Sequence, residues 1–321
     1  MGEFELIERF FRRRGRSTRG VALGIGDDCA LLAPTPGMQL ATSSDLLVEG
    51  RHFLSTVDPQ RLGHKALAVN LSDLAACGAR PAAFTLGLAL PSVDEAWLEG
   101  FSRGLFALAD AHGCELAGGD TTRGPLAIAI TVFGEVPPGQ ALLRSGARAG
   151  DDVWVSGTLG DARLALEVFR GRATVRQEVF QFARDRMELP TPRVGLGLAL
   201  RGIASAAIDL SDGLLGDLGH VLAASGVGAT IDAAAAAQRF GCPEAAIPPE
   251  QQLECVLAGG DDYELAFTAP PQARDAVQLA AQAAATPVHR IGRVEAQPGL
   301  RVVDASGREL PQHFASFDHF A

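Results

Sequence analysis

Five short segments share one arrangement, and no other feature of the chain restricts its folding as much: LGIGDDCALL, LATSSDLLVEG, VNLSDLAAC, LAGGDTTRG and AAIDLSDGLL. Each sets one or two aspartates beside serine, threonine or glycine, within or at the edge of a strongly apolar run. Such runs must be mostly buried. The carboxylates are therefore expected at element ends, near a core surface, whereas solvated aspartates more often lie in polar stretches.

The pattern between these segments alternates strands and helices. Residues from Glu3 to about Phe11 read as a helix with Phe4, Ile7, Phe10 and Phe11 on one stripe. Strand-like runs follow (VALGI, CALLA, MQLATSS, DLLVEG). Asp58-Pro59 reads as an N-cap and first-turn proline of a helix running to about Cys77 and stopping at Gly78, on which Asn70 and Asp73 share a face. AFTLGLAL is a buried strand, Ser92 and Glu95 have capping-box spacing, and the next helix ends at Gly113. CELAGGD, LAIAITVFGEV, DVWVSG, ATIDAA, YELAFT and VHRIGRV read as strands, ARLALEVF and PPQARDAVQLAAQAAA as helices. With 321 residues the chain suits two domains, 1–140 and 148–321, of the α/β or α+β class, joined near 138–150. A short echo relates the halves: NLSD ending at Asp73 and LAGGD ending at Asp120 lie 47 residues apart, while DLSD ending at Asp212 and LAGGD, which runs into Asp261, lie 49 apart.

If Asp28, Asp45, Asp73, Asp120, Asp209 and Asp212 converge, they need countercharge. Two carboxylates about 5 Å apart repel by roughly 3 kcal/mol at an effective dielectric of about 20. Oxygen-only donors select hard cations, Mg²⁺ above all, and Mg²⁺ recruits phosphate oxygens. The net charge of −10 agrees with bound cations and carries no fold-wide basic footprint for nucleic acid. Lys65, in LGHKAL, is the only lysine and has no P-loop around it, and the protein-kinase signature is missing. The 5 cysteines form no C-x-x-C pair, so neither a disulfide framework nor a zinc site is expected. No apolar run reaches membrane-spanning length, the start MGEFELIERFFRRRGR has no signal-like apolar region, and a cytoplasmic chain is expected. Asp58 reads as a cap alone. GTLGD at 157–161 is either an anion site at a helix start or a plain turn. Arg144 and Arg148 are either a phosphate clamp or a solvated linker. His52 is either structural or a ligand contact, and no Ser/His/Asp set stands out.

GIGDDCALL, TSSDLLVEGRHF, KALAVNLSDLAACGARP, LAGGDTTRG, VSGTLGDA, DLSDGL, GGDDYEL and the terminal FDHF occur in this order over nearly the whole chain. Together they resemble the thiamine-monophosphate kinase family of the aminoimidazole-ribonucleotide-synthetase superfamily. The resemblance implies ATP-dependent phosphorylation of thiamine monophosphate to thiamine diphosphate, with ATP as co-substrate and several Mg²⁺ ions. It also implies a homodimer whose N-terminal mixed sheets and helices form the dimer core, with a C-terminal α/β domain in each chain. Carried over by motif, Asp28, Ser43, Ser44, Asp45, Asp73, Asp120, Asp209 and Asp212 are metal ligands, directly or through water. Gly119, Asp120, Arg144 and Ser211 contact ATP; His52, Asp261 and Phe317 contact the thiamine phosphate. Ser44 stands where the family usually has threonine, and Asp261 where it usually has glutamate. No membrane or nucleic-acid partner is implied.

The acceptor is itself a phosphate with a second pKa of about 6, so no general base and no phospho-enzyme are expected. Two alternatives remain. One is a sister ATP-dependent enzyme of the superfamily, such as aminoimidazole ribonucleotide synthetase; selenophosphate synthetase and the hydrogenase-maturation relative fit less well, since no cysteine precedes Cys29 and the chain ends HFA. The other is a non-catalytic regulator that binds nucleotide or metal without turnover.

Overall fold

The computed structural model describes residues 2–13 and 20–311. The chain separates into two compact units, the first comprising 1–74 and 79–139, the second 75–78 and 140–321.

The first unit opens with α1 (Glu3–Leu6), which continues directly into a π-helical turn, Ile7–Phe11, closed by the Arg12 N–H donating to the Ile7 carbonyl at 2.9 Å. The wider turn shifts the helical register. Leu6, Phe10 and Phe11 are buried, whereas Phe4, expected on the same stripe, is 83% exposed. The short strands β1 (Val21–Leu23) and β2 (Leu31–Leu32) pair antiparallel. The main sheet holds β3 (Gln39–Val48), β4 (Arg80–Leu90), β5 (Glu115–Arg123) and β6 (Ala127–Val136) in the order β3-β6-β4-β5. Only β4 and β5 run parallel, so the sheet is mixed.

Two long helices, α2 (Pro59–Ala76) and α3 (Glu95–His112), complete this unit. Asp58 caps α2 through the N–H groups of Gln60 and Arg61. The expected cap at Ser92 falls instead to Asp94, whose carboxylate accepts the Trp97 N–H at 3.1 Å; Gly113 ends α3 in the left-handed conformation. The helices cross at glycine. A Cβ on Gly63 would stand 2.0 Å from the Phe101 carbonyl oxygen, and one on Gly104 1.8 Å from that of Gln60. This crossing buries α2 on nearly every side, including the polar residues Lys65, Asn70 and Ser72.

The second unit is built on a six-stranded sheet of β7 (Asp152–Ser156), β8 (Ala206–Asp209), β9 (Gly228–Asp232), β10 (Leu265–Ala269), β11 (Val288–Glu295) and β12 (Gly299–Val303), in the order β12-β9-β11-β7-β10-β8. All neighbours are antiparallel except β9 and β12. The helices are α4 (Asp161–Phe169), α5 (Gln177–Glu188), α6 (Val194–Ala199), α7 (Leu214–Ser225), α8 (Ala233–Ala237), α9 (Pro249–Ala258) and α10 (Arg274–Ala283). One apolar core joins β7, β8 and β9 to α4, α7 and α9 through Val153, Leu164, Ile208, Leu218, Ile231 and Val256.

Candidate active site

In the first unit the site is built on β3. Strand alternation turns Ser43 and Asp45 to one, half-buried face and Ser44 to the exposed one. Helix α2 lies against the Asp45 face. Asn70 is locked by its Nδ2 donating to the Ala66 carbonyl at 3.0 Å, and its Oδ1 accepts the Asp45 main-chain N–H at 3.1 Å. One turn on, Asp73 accepts a very short hydrogen bond from the Ser43 hydroxyl. Burial, and then the charge of Asp73, push the Asp45 carboxyl from 3.8 up to about 6. Ser43, Asp45 and Asp73 offer oxygen atoms only, and two of the groups are carboxylates. That donor set suits a hard divalent cation.

The other first-unit candidates stand apart from this pair. Ser44 bonds to Thr131 Oγ1 at 2.9 Å and donates to the Ile130 carbonyl at 3.2 Å, across β6. Asp120 is exposed on β5, opposite Gly87 of β4. Gly119 before it has φ +147°, and a Cβ there would lie 1.9 Å from the Leu86 carbonyl oxygen, so only glycine fits. Asp28 is exposed, and the Asp27 carboxylate accepts its N–H at 2.8 Å. His52 is half-buried; its Nδ1 accepts the Val48 N–H at 3.0 Å, which places the imidazole proton on Nε2. Buried Lys65 donates to the His52 carbonyl at 3.3 Å.

In the second unit the structure brings DLSDGL and GGDDYEL together. The Asp261 N–H donates to the Ser211 carbonyl, and the Tyr263 N–H to that of Leu210, each at 2.8 Å. Asp209 is buried at the end of β8, paired with Leu265. Asp261 and Tyr263 adopt left-handed backbone, φ +63° and +50°, and the Tyr263 hydroxyl donates to Asp261 Oδ1 at 3.0 Å. Non-glycine residues in that region cost about 1–3 kcal/mol each, a strain typical of functional loops. The main chain of exposed Arg144 lies toward the other end of α7: its carbonyl accepts from Ser225 at the C-terminal end, whereas Ser211 precedes the N-terminal end. A helix of this length puts roughly 18 Å between those ends.

GTLGD is decided by the chain itself. The Gly160 N–H is taken by the Asp262 carboxylate at 3.0 Å to each oxygen, and Thr158 donates to buried Asp161 at 2.6 Å. This helix start is already occupied by a carboxyl group of the same chain.

Three participants are not among the sequence-predicted site residues, although Asn70 reads as sharing a helix face with Asp73. Asn70 fixes the Asp45 backbone, Asp217 the Asp212 turn, and Glu264 the root of the Asp261 loop. Phe317 lies outside the described residues. Among the described residues, no three His, Cys, Asp or Glu side chains are grouped so as to hold a metal ion; the acidic pair with Ser43 is what the first unit assembles.

Both halves match one class. Residues 26–136 match AIR synthase related protein, N-terminal domain, and residues 148–305 match its C-terminal domain. Full-length likeness is narrower. The thiamine-monophosphate kinase of Salmonella typhimurium strain LT2 is 48% identical over 322 residues, spanning 100% of this chain and 98% of that protein. The crystal structure of thiamine-monophosphate kinase from Stenotrophomonas maltophilia K279a superimposes with a TM-score of 0.83 at 45% identity, over 96% of each chain. A structure of AaThiL complexed with AMPPCP and TMP gives 0.76 at 30% identity, over 90% of this chain and 89% of that one. The chain belongs to the thiamine-monophosphate kinase family within the AIR synthase related class.

Proposed function

We propose that the chain transfers the γ-phosphoryl group of ATP to thiamine monophosphate, giving thiamine diphosphate and ADP. The observation that carries this reading is the full-length likeness to thiamine-monophosphate kinases, joined to an acidic, oxygen-only pair at Asp45 and Asp73 in a chain with no P-loop.

An oxygen of the acceptor phosphate forms the new bond to the γ-phosphorus as the bond to the β-bridging oxygen breaks, and ADP leaves with that electron pair. The acceptor is largely dianionic near neutral pH, since its second pKa is about 6, so no base is needed. The barrier is repulsion between two anions. Bound Mg²⁺ supplies the positive charge that offsets it. Ser43, Asp45 and Asp73 are its proposed holders in the first unit, with Asp28, Ser44 and Asp120; Asp209 and Asp212 are those in the second. Gly119, Asp120, Arg144 and Ser211 are assigned to the nucleotide. His52 presents an Nε2–H suited to the acceptor phosphate, and Asp261 and Phe317 are assigned to the thiamine moiety.

Residues 1–140 are read as the ATP-binding, Mg²⁺-binding and dimerisation domain and 148–321 as the C-terminal α/β domain. A homodimer is supported by β3, an edge strand whose outward face carries Leu40 at 48% and Leu46 at 57% exposure. A cytoplasmic location accords with the described helices, none of which is long and apolar enough to cross a membrane.

The test is incubation of purified chain with ATP, Mg²⁺ and thiamine monophosphate, followed by chromatography. Thiamine diphosphate and ADP are expected in equal amounts. Nucleotide binding without thiamine diphosphate would overturn the proposal, and a trapped phosphohistidine at His52 would refute direct transfer.

A further inference from the structure

The turn between β8 and α7 is held from two sides. On one side, Asp217 lies one turn into α7 and is 3% exposed; its Oδ2 accepts the N–H groups of both Asp212 and Gly213 at 3.0 Å. On the other side, the Ser211 carbonyl accepts the Asp261 N–H at 2.8 Å. Between them Gly213 has φ +119°, and a Cβ there would stand 2.9 Å from the Ala258 carbonyl carbon. The turn thus has little freedom to drift. N–H groups at a helix start attract anions, but these two are already occupied by a carboxylate of the same chain. Ser211 and Asp212 remain half-buried beside them, while Gly213, Leu214 and Asp217 are buried.

We propose that Asp217 is a positioning residue for nucleotide and metal binding: it fixes the Ser211–Gly213 turn in the one conformation that presents Ser211 and Asp212 to the nucleotide–Mg²⁺ group. This rests on the proposed function for the identity of the ligand, and on the turn's hydrogen bonds for the role. A helix cap with no such role has a counterpart in the same unit. Asp232 accepts the N–H groups of Ala234 and Ala235 at 2.8 and 3.0 Å and caps α8.

The experiment compares Asp217→Ala, Asp217→Asn, Asp217→Glu and Asp232→Ala in the full chain. Three quantities are read: Tm, the Kd for a non-hydrolysable ATP analogue with Mg²⁺, and the KM for ATP against kcat. Loss of a group that orients a ligating residue weakens binding roughly tenfold to a hundredfold, so Asp217→Ala is expected to raise the Kd and the ATP KM by that factor. Asn keeps an oxygen able to accept both N–H groups and is expected to stay within about threefold of wild type. Asp232→Ala lowers Tm with Kd and KM unchanged. Wild-type Kd and KM in Asp217→Ala overturn the role, as does an equal loss in Asp232→Ala. If the alanine variant does not fold, Asp217→Glu decides: it keeps the charge but displaces the oxygen by one methylene, and a wild-type KM and Kd in it overturn the role. A wild-type chain that binds the analogue without turnover counts against the phosphotransfer reading alone, and the Kd comparison still decides this one. A wild type that binds no nucleotide overturns both.

Discussion

Replacing Glu264 with glutamine removes one charge from the second unit's interior at almost constant volume. Glu264 is 1% exposed as a side chain, and Arg186 and Arg193 are each 16% exposed. Its carboxylate accepts Arg186 Nη2 at 2.8 Å, Arg193 Nε at 2.6 Å and Ser156 Oγ at 2.5 Å, with a further very short bond from Arg193 Nη2. Glutamine offers one acceptor oxygen, so its NH₂ must face a guanidinium or the serine hydroxyl. The nearby acids are poor substitutes for the lost charge, because burial pushes both the Asp161 and the Asp262 carboxyls upward. Breaking a buried pair from one side costs about 3–5 kcal/mol. At about 2–4 °C per kcal/mol for a body of this size, Tm should fall by about 10 °C. The control is Arg176→Gln, which breaks an ion pair with Glu244 whose side chains are 64% and 73% exposed; such pairs contribute less than about 1 kcal/mol. Thermal unfolding of both full-length variants at pH 7.5 is the assay. A fall in E264Q no larger than in R176Q would refute the reasoning, since buried and exposed pairs would then be equivalent here.

Asp45→Asn should abolish turnover while stabilising chelator-treated protein. The folded-state pKa is raised from 3.8 to about 6, so keeping the carboxyl ionised costs stability as pH rises through that window. Relief of up to about 3 kcal/mol is expected well above pH 6 and none below about pH 4; an Asp45→Asn chain with full kcat at limiting Mg²⁺ would remove Asp45 from the site. Asp152 behaves oppositely. Hydrogen bonds from Arg274, with Arg290 adding to them, hold its carboxyl below the usual range despite burial. Its contribution is therefore present above about pH 4 and lost as pH falls through the depressed value. The Tm difference between wild type and Arg274→Gln should be constant from pH 7 to 5 and shrink under more acid conditions, and a difference that widens there would contradict the assignment.

Much of the site was legible because its residues obey local rules. Asn70 and Asp73 fall three apart on a helix, so their shared face was readable, while its contact with β3 came only with the fold. Gly113 stops α3 because the chain needs a left-handed residue there. Other features depended on information that no local window carries. The π-turn at Ile7–Phe11 adds one residue to a helical repeat, and no periodicity count of the segment marks that. Ser92 and Asp94 are both able caps, and the helix starts at Glu95, which makes Asp94 the cap. Helices α5, α6 and α9 gave no clear reading; α5 in particular carries many charges, and its Arg186 turns inward to meet Glu264, Asp161 and the Thr158 carbonyl, all distant in sequence. Ser44 was grouped with Ser43 and Asp45 through family resemblance, although the two-residue period of a strand turns its hydroxyl the other way. Asp217 carried no reading in the sequence, because the turn it holds, Asp212–Gly213, takes shape only in the fold.

The buried acids divide by what surrounds them, and the division separates scaffold from site. Burial raises the pKa of Glu135 and Glu167, yet Thr35 and Arg80 overcome it for the first, and Arg172 and Arg163 for the second; both end below their ordinary values. These charges are matched within the chain and need nothing from outside. Asp45 has the reverse balance: burial raises it, and the next influence, Asp73, raises it again. A fold selected for stability alone has no reason to keep that arrangement, since an asparagine would fill the same space at lower cost. The cost is sensible only if a ligand supplies the missing positive charge in the working state. The same reasoning covers Asp261 and Tyr263, held in left-handed backbone beside Ser211 where glycine would be unstrained. Uncompensated charge in one unit and backbone strain in the other fall within TSSDLLVEGRHF and GGDDYEL, two of the motifs that carry the family resemblance, and the strongly arginine-matched acids Glu135, Asp152 and Glu167 lie outside those motifs.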